Sequence, residues 1–145
     1  MTRAQVPPQS LGALHPDAFT EPFWRAAAEH RLTCAQCASC GAFRMPPSPF
    51  CHRCRSQDVT WAELSGRGTV FSFTVARHAL IPDLAAYLPY VVAVVDLEGA
   101  PGARLIGNVV DIGVEDVRVG MPVEITWEDV EGSPVSLYRF RPAAP

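Results

Sequence analysis

Lysine is missing from this 145-residue chain: all 12 basic residues are arginine. Against 15 acids they leave a formal charge of −3. The deficit is uneven. Residues 1–66 carry six Arg against five acids, while residues 67–145 carry six Arg against ten. The back half is therefore a poor surface for a phosphate backbone, which needs basic grooves. Long apolar runs are missing too. None reaches the ~18 residues that cross a bilayer, and "YVVAVVDL" is only strand-sized. The opening "MTRAQVPPQSLGALHPDAF" has no apolar stretch of the secretory kind. Together these absences point to a cytoplasmic protein that makes no membrane contact. There is also no nucleophile elbow, no Gly-rich phosphate loop and no His-rich metal set. His15, His30 and His78 stand apart from one another. No catalytic residue emerges, so no free-standing enzyme is expected.

Cysteine is confined to one stretch, "LTCAQCASCGAFRMPPSPFCHRCRS" at 32–56, which holds all five: Cys34, Cys37, Cys40, Cys51 and Cys54. In a reducing compartment such a cluster reads as metal ligands before disulfides. Cys37-Ala-Ser-Cys40 and Cys51-His-Arg-Cys54 are two Cys-x-x-Cys pairs with ten residues between them. Each pair can turn two thiolates toward one ion, and two pairs complete a tetrahedron with zinc–sulfur bonds of ~2.3 Å. Gly41 follows the first pair and supplies the left-handed residue that such a knuckle uses. Cys34-Ala-Gln-Cys37 has the same spacing but lacks the glycine. Cys34 also shares strand phase with Leu32, which makes it a small buried apolar residue. The expected cofactor is thus one structural zinc per chain, held by Cys37, Cys40, Cys51 and Cys54; iron fits the same spacing and is the lesser alternative. Four protein ligands leave no open position for substrate.

Around this module the chain divides. Residues 1–19 are rich in Pro, Gln, Ser and Ala without a period and read as a flexible arm. "TEPFWRAAAEHRL" predicts a short helix within residues 20–31, with Thr20 as N-cap and Phe23, Trp24 and Ala27 on one apolar side. Residues 32–64 form the ribbon, stiffened by Pro46, Pro47 and Pro49. From "SGRG" onward the period becomes two. "TVFSFTVAR" places Phe71, Phe73 and Val75 inward, and "PVEITWED" does the same with Val123, Ile125 and Trp127. With "YVVAVVDLE", "ARLIGNVVDI" and "VSLYRF" this makes five strands. Closing them into a small barrel over residues 65–142 removes exposed edges, and a five-stranded OB-fold is the common solution.

A helix bearing "FW", then "CxxCG", "PP", "CxxC", "SGRGTVFSFTV", "PYVVAVVDLEG", "VGMPVEITWED" and "FRP" occur in order between Phe23 and Pro142. That series resembles the zinc-ribbon plus OB-fold family known as domain of unknown function 35. The resemblance implies a mainly β chain: an N-terminal helix, a rubredoxin-like zinc ribbon and a C-terminal OB barrel. It implies zinc ligation by Cys37, Cys40, Cys51 and Cys54. It also implies a non-catalytic subunit of acyl-CoA enzymes, such as thiolases, steroid side-chain aldolases or acyltransferases. The implied partners are a thiolase-like or lipid-transfer-protein-like enzyme, a hot-dog-fold hydratase, and acyl-CoA itself. This chain departs from the family at Cys34, where a bulky apolar residue is usual, and at Ala35, where glutamine is common.

Arg44, Arg53 and Arg55 cluster near the cysteines and are candidates for CoA phosphates, since guanidinium pairs well with phosphate. The loop "HALIPDLAAYLPY" carries Leu80, Ile81, Leu84 and Tyr87 in a connection, where large apolar residues mark an interface or a plug for the barrel end. Phe23 and Trp24 pose the same choice between a partner and the chain's own core. An alternative function, nucleic-acid binding by the OB barrel, would rest on Tyr138 and Phe140 as stacking platforms.

Overall fold

A computed structural model of the chain describes residues 2–9 and 14–145. Helix α1 (Glu21–Ala27) leads into a three-stranded sheet of β1 (Thr33–Cys37), β2 (Phe43–Arg44) and β3 (Val59–Glu63), ordered β2-β1-β3. Then follow β4 (Arg67–Ala76), β5 (Tyr90–Leu97), β6 (Arg104–Val109), β7 (Pro122–Asp129) and β8 (Ser136–Pro142), which close into a barrel in the order β4-β5-β6-β8-β7. The chain is mainly β, with a short helix, a four-cysteine ribbon region and a five-stranded closed barrel. Neighbours in the barrel are antiparallel except β6 and β8, joined by one parallel pair, Val109 with Phe140.

Helix α1 is shorter than the sequence suggests, and Thr20 does not cap it. Thr20 already has helical backbone angles, φ −98° and ψ −15°. Asp17 does the capping work instead. Its carboxylate accepts from the amides of Phe19 and Thr20 at 2.9 and 2.8 Å, and the Glu21 amide donates to the Asp17 carbonyl at 2.8 Å. At seven residues the helix cannot hold itself together in water. Its apolar side rests on the barrel: Phe23 meets Trp24 and Tyr138 edge-on at 5.0 and 5.9 Å, and Trp24 stacks on Tyr138 at 6.0 Å.

The barrel is filled by small β-branched residues around one aromatic. Val70, Val91, Val95, Val109, Val123 and Phe140 are fully enclosed. One expected core residue is not there. Val70 pairs with Val95 and Ser72 with Val94, so Phe71 is an extra residue between them. This β-bulge resets the alternation. Val70 points inward, Phe73 and Val75 keep the inward phase, and Phe71 is turned out to 46% exposure beneath the Arg104 guanidinium at 3.7 Å.

The described part of the N-terminal arm is pinned rather than free. The Ala4 amide donates to Ile112 O, Gln5 to Pro89 O and Val114 to Thr2 O, each at 2.8 Å. Arg139 Nη2 reaches Pro7 O at 3.2 Å, and Gln9 Nε2 reaches Glu128 Oε1 at 2.6 Å. Backbone groups make most of these bonds, which is why side-chain pattern gave no hint of them. The rest of the expected arm includes residues 10–13, which lie outside the described residues.

Candidate metal centre

The two Cys-x-x-Cys pairs adopt one geometry twice. In the first, at the end of β1, the Gly41 amide donates to Cys37 O at 2.9 Å and the Cys37 amide to Ala42 O at 2.8 Å. In the second, the Arg55 amide donates to Cys51 O at 3.0 Å and the Cys51 amide to Ser56 O at 2.8 Å. Gly41 has φ 79°, as its position after Cys40 suggested, and Arg55 occupies the equivalent place at φ 67°. A left-handed backbone suits glycine and strains arginine. Arg55→Gly should therefore stabilise the ribbon by up to ~1 kcal/mol, and Gly41→Ala should cost ~1–2 kcal/mol. A Cβ at Gly41 would meet no atom closer than 3.9 Å, so that cost is conformational rather than steric. Paired urea titrations of the two variants check the opposite signs.

The four sulfurs converge within 4.8 Å of one another. Cys37 and Cys54 sulfurs are 3.5 Å apart, and Cys40 and Cys51 sulfurs 3.6 Å. These separations are far beyond a disulfide bond of ~2.05 Å. They approach the ~3.8 Å edge of a tetrahedron with 2.3 Å bonds. Local amides favour thiolate at Cys37 and Cys51, while at Cys54 the Ser56 amide is outweighed by the neighbouring sulfurs, which push that thiol up to about 11. The amides of Cys40 and then Ser39 hold the Cys37 thiol below its ordinary range, and those of Cys54 and Arg53 bring Cys51 down to about 6. Four soft thiolates without carboxylate or imidazole suit zinc or iron. Cys34 stands outside this group. It is wholly buried, packs with Phe23 and Leu32 in the main core, and burial pushes its thiol up to about 11.

The other candidates are scattered. Arg53 and Arg55 are exposed beside the cysteines, but Arg44 is buried at 6% exposure. The clustering read from sequence therefore fails for Arg44, which cannot join the other two at a phosphate. Short strand β2 turns it to the covered face opposite Ala35, and its Nε and Nη1 find no hydrogen-bond partner among the described residues. Phe23 is consumed by contacts within the chain, while Trp24 keeps a partly open edge. Leu80 is 89% exposed and Ile81 46%, and Leu84 and Tyr87 sit half-buried in a 3-10 turn, Pro82–Tyr87, that buries none of its residues. The loop does not plug the barrel. Of the two proposed stacking platforms Phe140 is in the core, and Tyr138 is half-buried with one face against Trp24 and its hydroxyl donated to Ile106 O at 2.7 Å.

One constellation escaped sequence reading. His30 Nε2 lies 2.8 Å from Asp129 Oδ1, its ring stacks on Trp127 at 5.9 Å, and Ser136 Oγ donates to the same carboxylate oxygen at 2.5 Å. The bonds with His30 and then Ser136 hold the Asp129 carboxyl below its ordinary range. His30 and Asp129 are 99 residues apart, and no local pattern links them. Among the described residues no helix is long and apolar enough to cross a membrane.

Comparison with known proteins places these features in a family. The model for the rubredoxin-like zinc ribbon domain of ChsH2 matches residues 24–60, and that for the C-terminal OB-fold domain of ChsH2 matches residues 61–128. A probable enoyl-CoA hydratase alpha subunit of Thermomonospora curvata is 42% identical over 124 residues, covering 85% of this chain but only 37% of its own length. A DUF35 domain-containing scaffold protein of Methanocaldococcus jannaschii is 34% identical over 126 residues, covering 82% of this chain and 87% of that one. A solved chain of the Ltp2-ChsH2(DUF35) aldolase superposes with a TM-score of 0.79 at 36% identity, over 91% of this chain and all of that one. With zinc ribbon and OB barrel matched in order, and the Methanocaldococcus scaffold protein aligned over 87% of its length, the chain belongs to the ChsH2/DUF35 family.

Proposed function

We propose that this chain is a non-catalytic scaffold subunit of an acyl-CoA-processing complex, joined to a thiolase-like aldolase or a related acyl-CoA enzyme. The observation that carries the reading is the superposition on the whole of a chain from the Ltp2-ChsH2(DUF35) aldolase. The likeness to a hydratase alpha subunit keeps the reading within CoA thioester chemistry. In this reading Cys37, Cys40, Cys51 and Cys54 hold one structural zinc. The metal keeps helix and barrel in register and supplies no chemistry to substrate. Leu80, Ile81, Leu84 and Tyr87 form the partner surface, since a turn of apolar residues left in water is costly unless covered. Arg53 and Arg55, exposed beside the cysteines, would receive CoA phosphates.

Co-expression with a lipid-transfer-protein-like aldolase tests this. The two chains should co-elute on gel filtration, and cleavage of a β-hydroxyacyl-CoA should require both. Replacing Leu80 and Ile81 with Asp should break co-elution without changing metal content. Separate elution of the two wild-type chains, with full activity in the partner alone, would sink the proposal.

A further inference from the structure

Among the described residues, every enclosed side-chain nitrogen or oxygen that lacks a hydrogen-bond partner lies in one place. These atoms are Thr33 Oγ1 and the Nε and Nη1 of Arg44. Thr33 and Ala35 point to the same face of β1, and Arg44 of β2 pairs with Ala35. All three atoms therefore belong to one face of the ribbon sheet. Thr33 and Arg44 are diagonal neighbours on that face, ~7–8 Å apart, a gap that an arginine side chain spans. No hydrogen bond joins them.

The arginine is the costly member. A guanidinium stays charged at any working pH, and Arg44 keeps only 6% of its surface exposed. Burying a charge without a partner is strongly destabilising, whereas a neutral side chain of similar shape is tolerated. The fold supplies no such partner. The carboxylate of these three strands, Glu63, stands opposite Thr33 on β3 and pairs with Arg31 at 3.3 Å. Cys37, the other diagonal neighbour of Arg44, turns its sulfur into the metal site, 3.5 Å from that of Cys54. Ala35, directly opposite, ends at its Cβ and offers no acceptor. Among the described residues the guanidinium that covers an aromatic ring is that of Arg104. Ordered water would accept hydrogen bonds from Arg44 but would leave its charge unpaired. An acceptor that is itself negative answers both needs. The planar N–H pairs of a guanidinium match the two oxygens of a carboxylate, and a threonine hydroxyl can donate to the same group.

We infer that Arg44, with Thr33 beside it, is the receptor for one carboxylate supplied from outside the chain. Two sources share that chemistry, a free carboxylate and an Asp or Glu side chain of a bound protein. The inference goes beyond the scaffold reading above and does not depend on which enzyme the chain joins, so the two can fail separately.

Thermal unfolding of the zinc-loaded chain in sodium formate, against sodium chloride at equal ionic strength, tests it. Formate should raise the midpoint saturably, by about 4 °C at tenfold excess over its Kd, and chloride by about 1 °C or less. Arg44→Met should abolish the formate shift and, without formate, melt no lower than wild type, because it removes an unpaired buried charge. Arg44→Lys keeps the charge but not the fork, and should bind formate about tenfold more weakly. Thr33→Val should weaken formate about threefold. In the complex with an aldolase partner, loss of the formate shift together with at least tenfold weaker association of Arg44→Met would assign the carboxylate to the partner. An unchanged formate shift in the complex would assign it to a free carboxylate. Four results would overturn the inference: a wild-type formate shift no larger than that of chloride, an equal formate shift in Arg44→Met, melting of Arg44→Met several degrees below wild type, or faster zinc loss from Arg44→Met with no formate response in wild type. The third would show the guanidinium already satisfied within the fold, and the fourth would assign it to the thiolates.

Discussion

Cys37→Ala should lose bound zinc and unfold the ribbon, while Cys34→Ala should keep about one zinc per chain. The contrast is large because the two cysteines differ in what surrounds them. Apart from the contacts its sheet makes with helix and barrel, the ribbon has a core of only three small residues, Cys37, Ala42 and Cys51. Such a core cannot offset the entropy of ordering some thirty residues, and a metal must stand in for it. Structural zinc in small fingers contributes ~10–16 kcal/mol, comparable to the whole stability of a domain. Removing one of four thiolates leaves the ion three ligands and a vacancy that water fills weakly. Cys34 instead fills space in the main core, so its truncation leaves a small cavity costing ~1 kcal/mol. Metal analysis after gel filtration reads the difference, and equal loss in both variants would refute the ligand assignment. Alkylation gives a second reading: Cys34 should stay unmodified in the native state, where burial keeps its thiol protonated. Lowering the pH should release the metal, because protons compete for the thiolates that bind it.

Phe140→Ala should cost ~3–5 kcal/mol. For a chain of this size that lowers the thermal midpoint on the order of 10 °C. Phe140 is the largest fully enclosed side chain, and it sits where the barrel is least secured. The backbone of β8 meets β6 at the Val109–Phe140 pair, supported by the Val110 amide donating to Phe140 O at 2.8 Å. A weak seam backed by one large side chain loses both when that side chain goes. Gly107 is the matching half of the contact. A Cβ there would lie 3.0 Å from the rings of both Phe140 and Tyr138, so Gly107→Ala should overpack the seam by ~1–3 kcal/mol. The combined variant should be less destabilised than the sum, since shortening Phe140 makes the room that the added methyl needs. Additive losses in thermal or denaturant unfolding would show that the two residues do not share this contact.

The features legible in the sequence are those written over short distances. Cysteine spacing and Gly41 report the knuckles because thiolates on one ion must be close along the chain. Alternation reports the five strands because each has one face in the core. The bulge at Phe71 was hidden because Val70 and Phe71 are both apolar, and alternation cannot tell which of two neighbours turns inward. Arg44 looked like a companion of Arg53 and Arg55 because sequence proximity stood in for a shared face. The pairing of β2 with β1 decides that face, and no arginine announces it. Asp17 was missed as a cap because Thr20 sits nearer the apolar side and satisfies the same rule. The His30–Asp129 contact joins elements far apart in sequence, so it leaves no periodic trace.

The pinned N-terminal arm bears on the order in which the chain can fold as it is made. All four ribbon cysteines precede residue 55, so the metal knot can close while most of the barrel is still unsynthesised. The arm is made before the ribbon, yet its anchors include Ile112, Glu128 and Arg139, the last 132 residues beyond Pro7. It therefore docks only after β8 has been made. Residues synthesised ahead of the barrel are placed after it, and their arrival reports that the barrel behind them has closed.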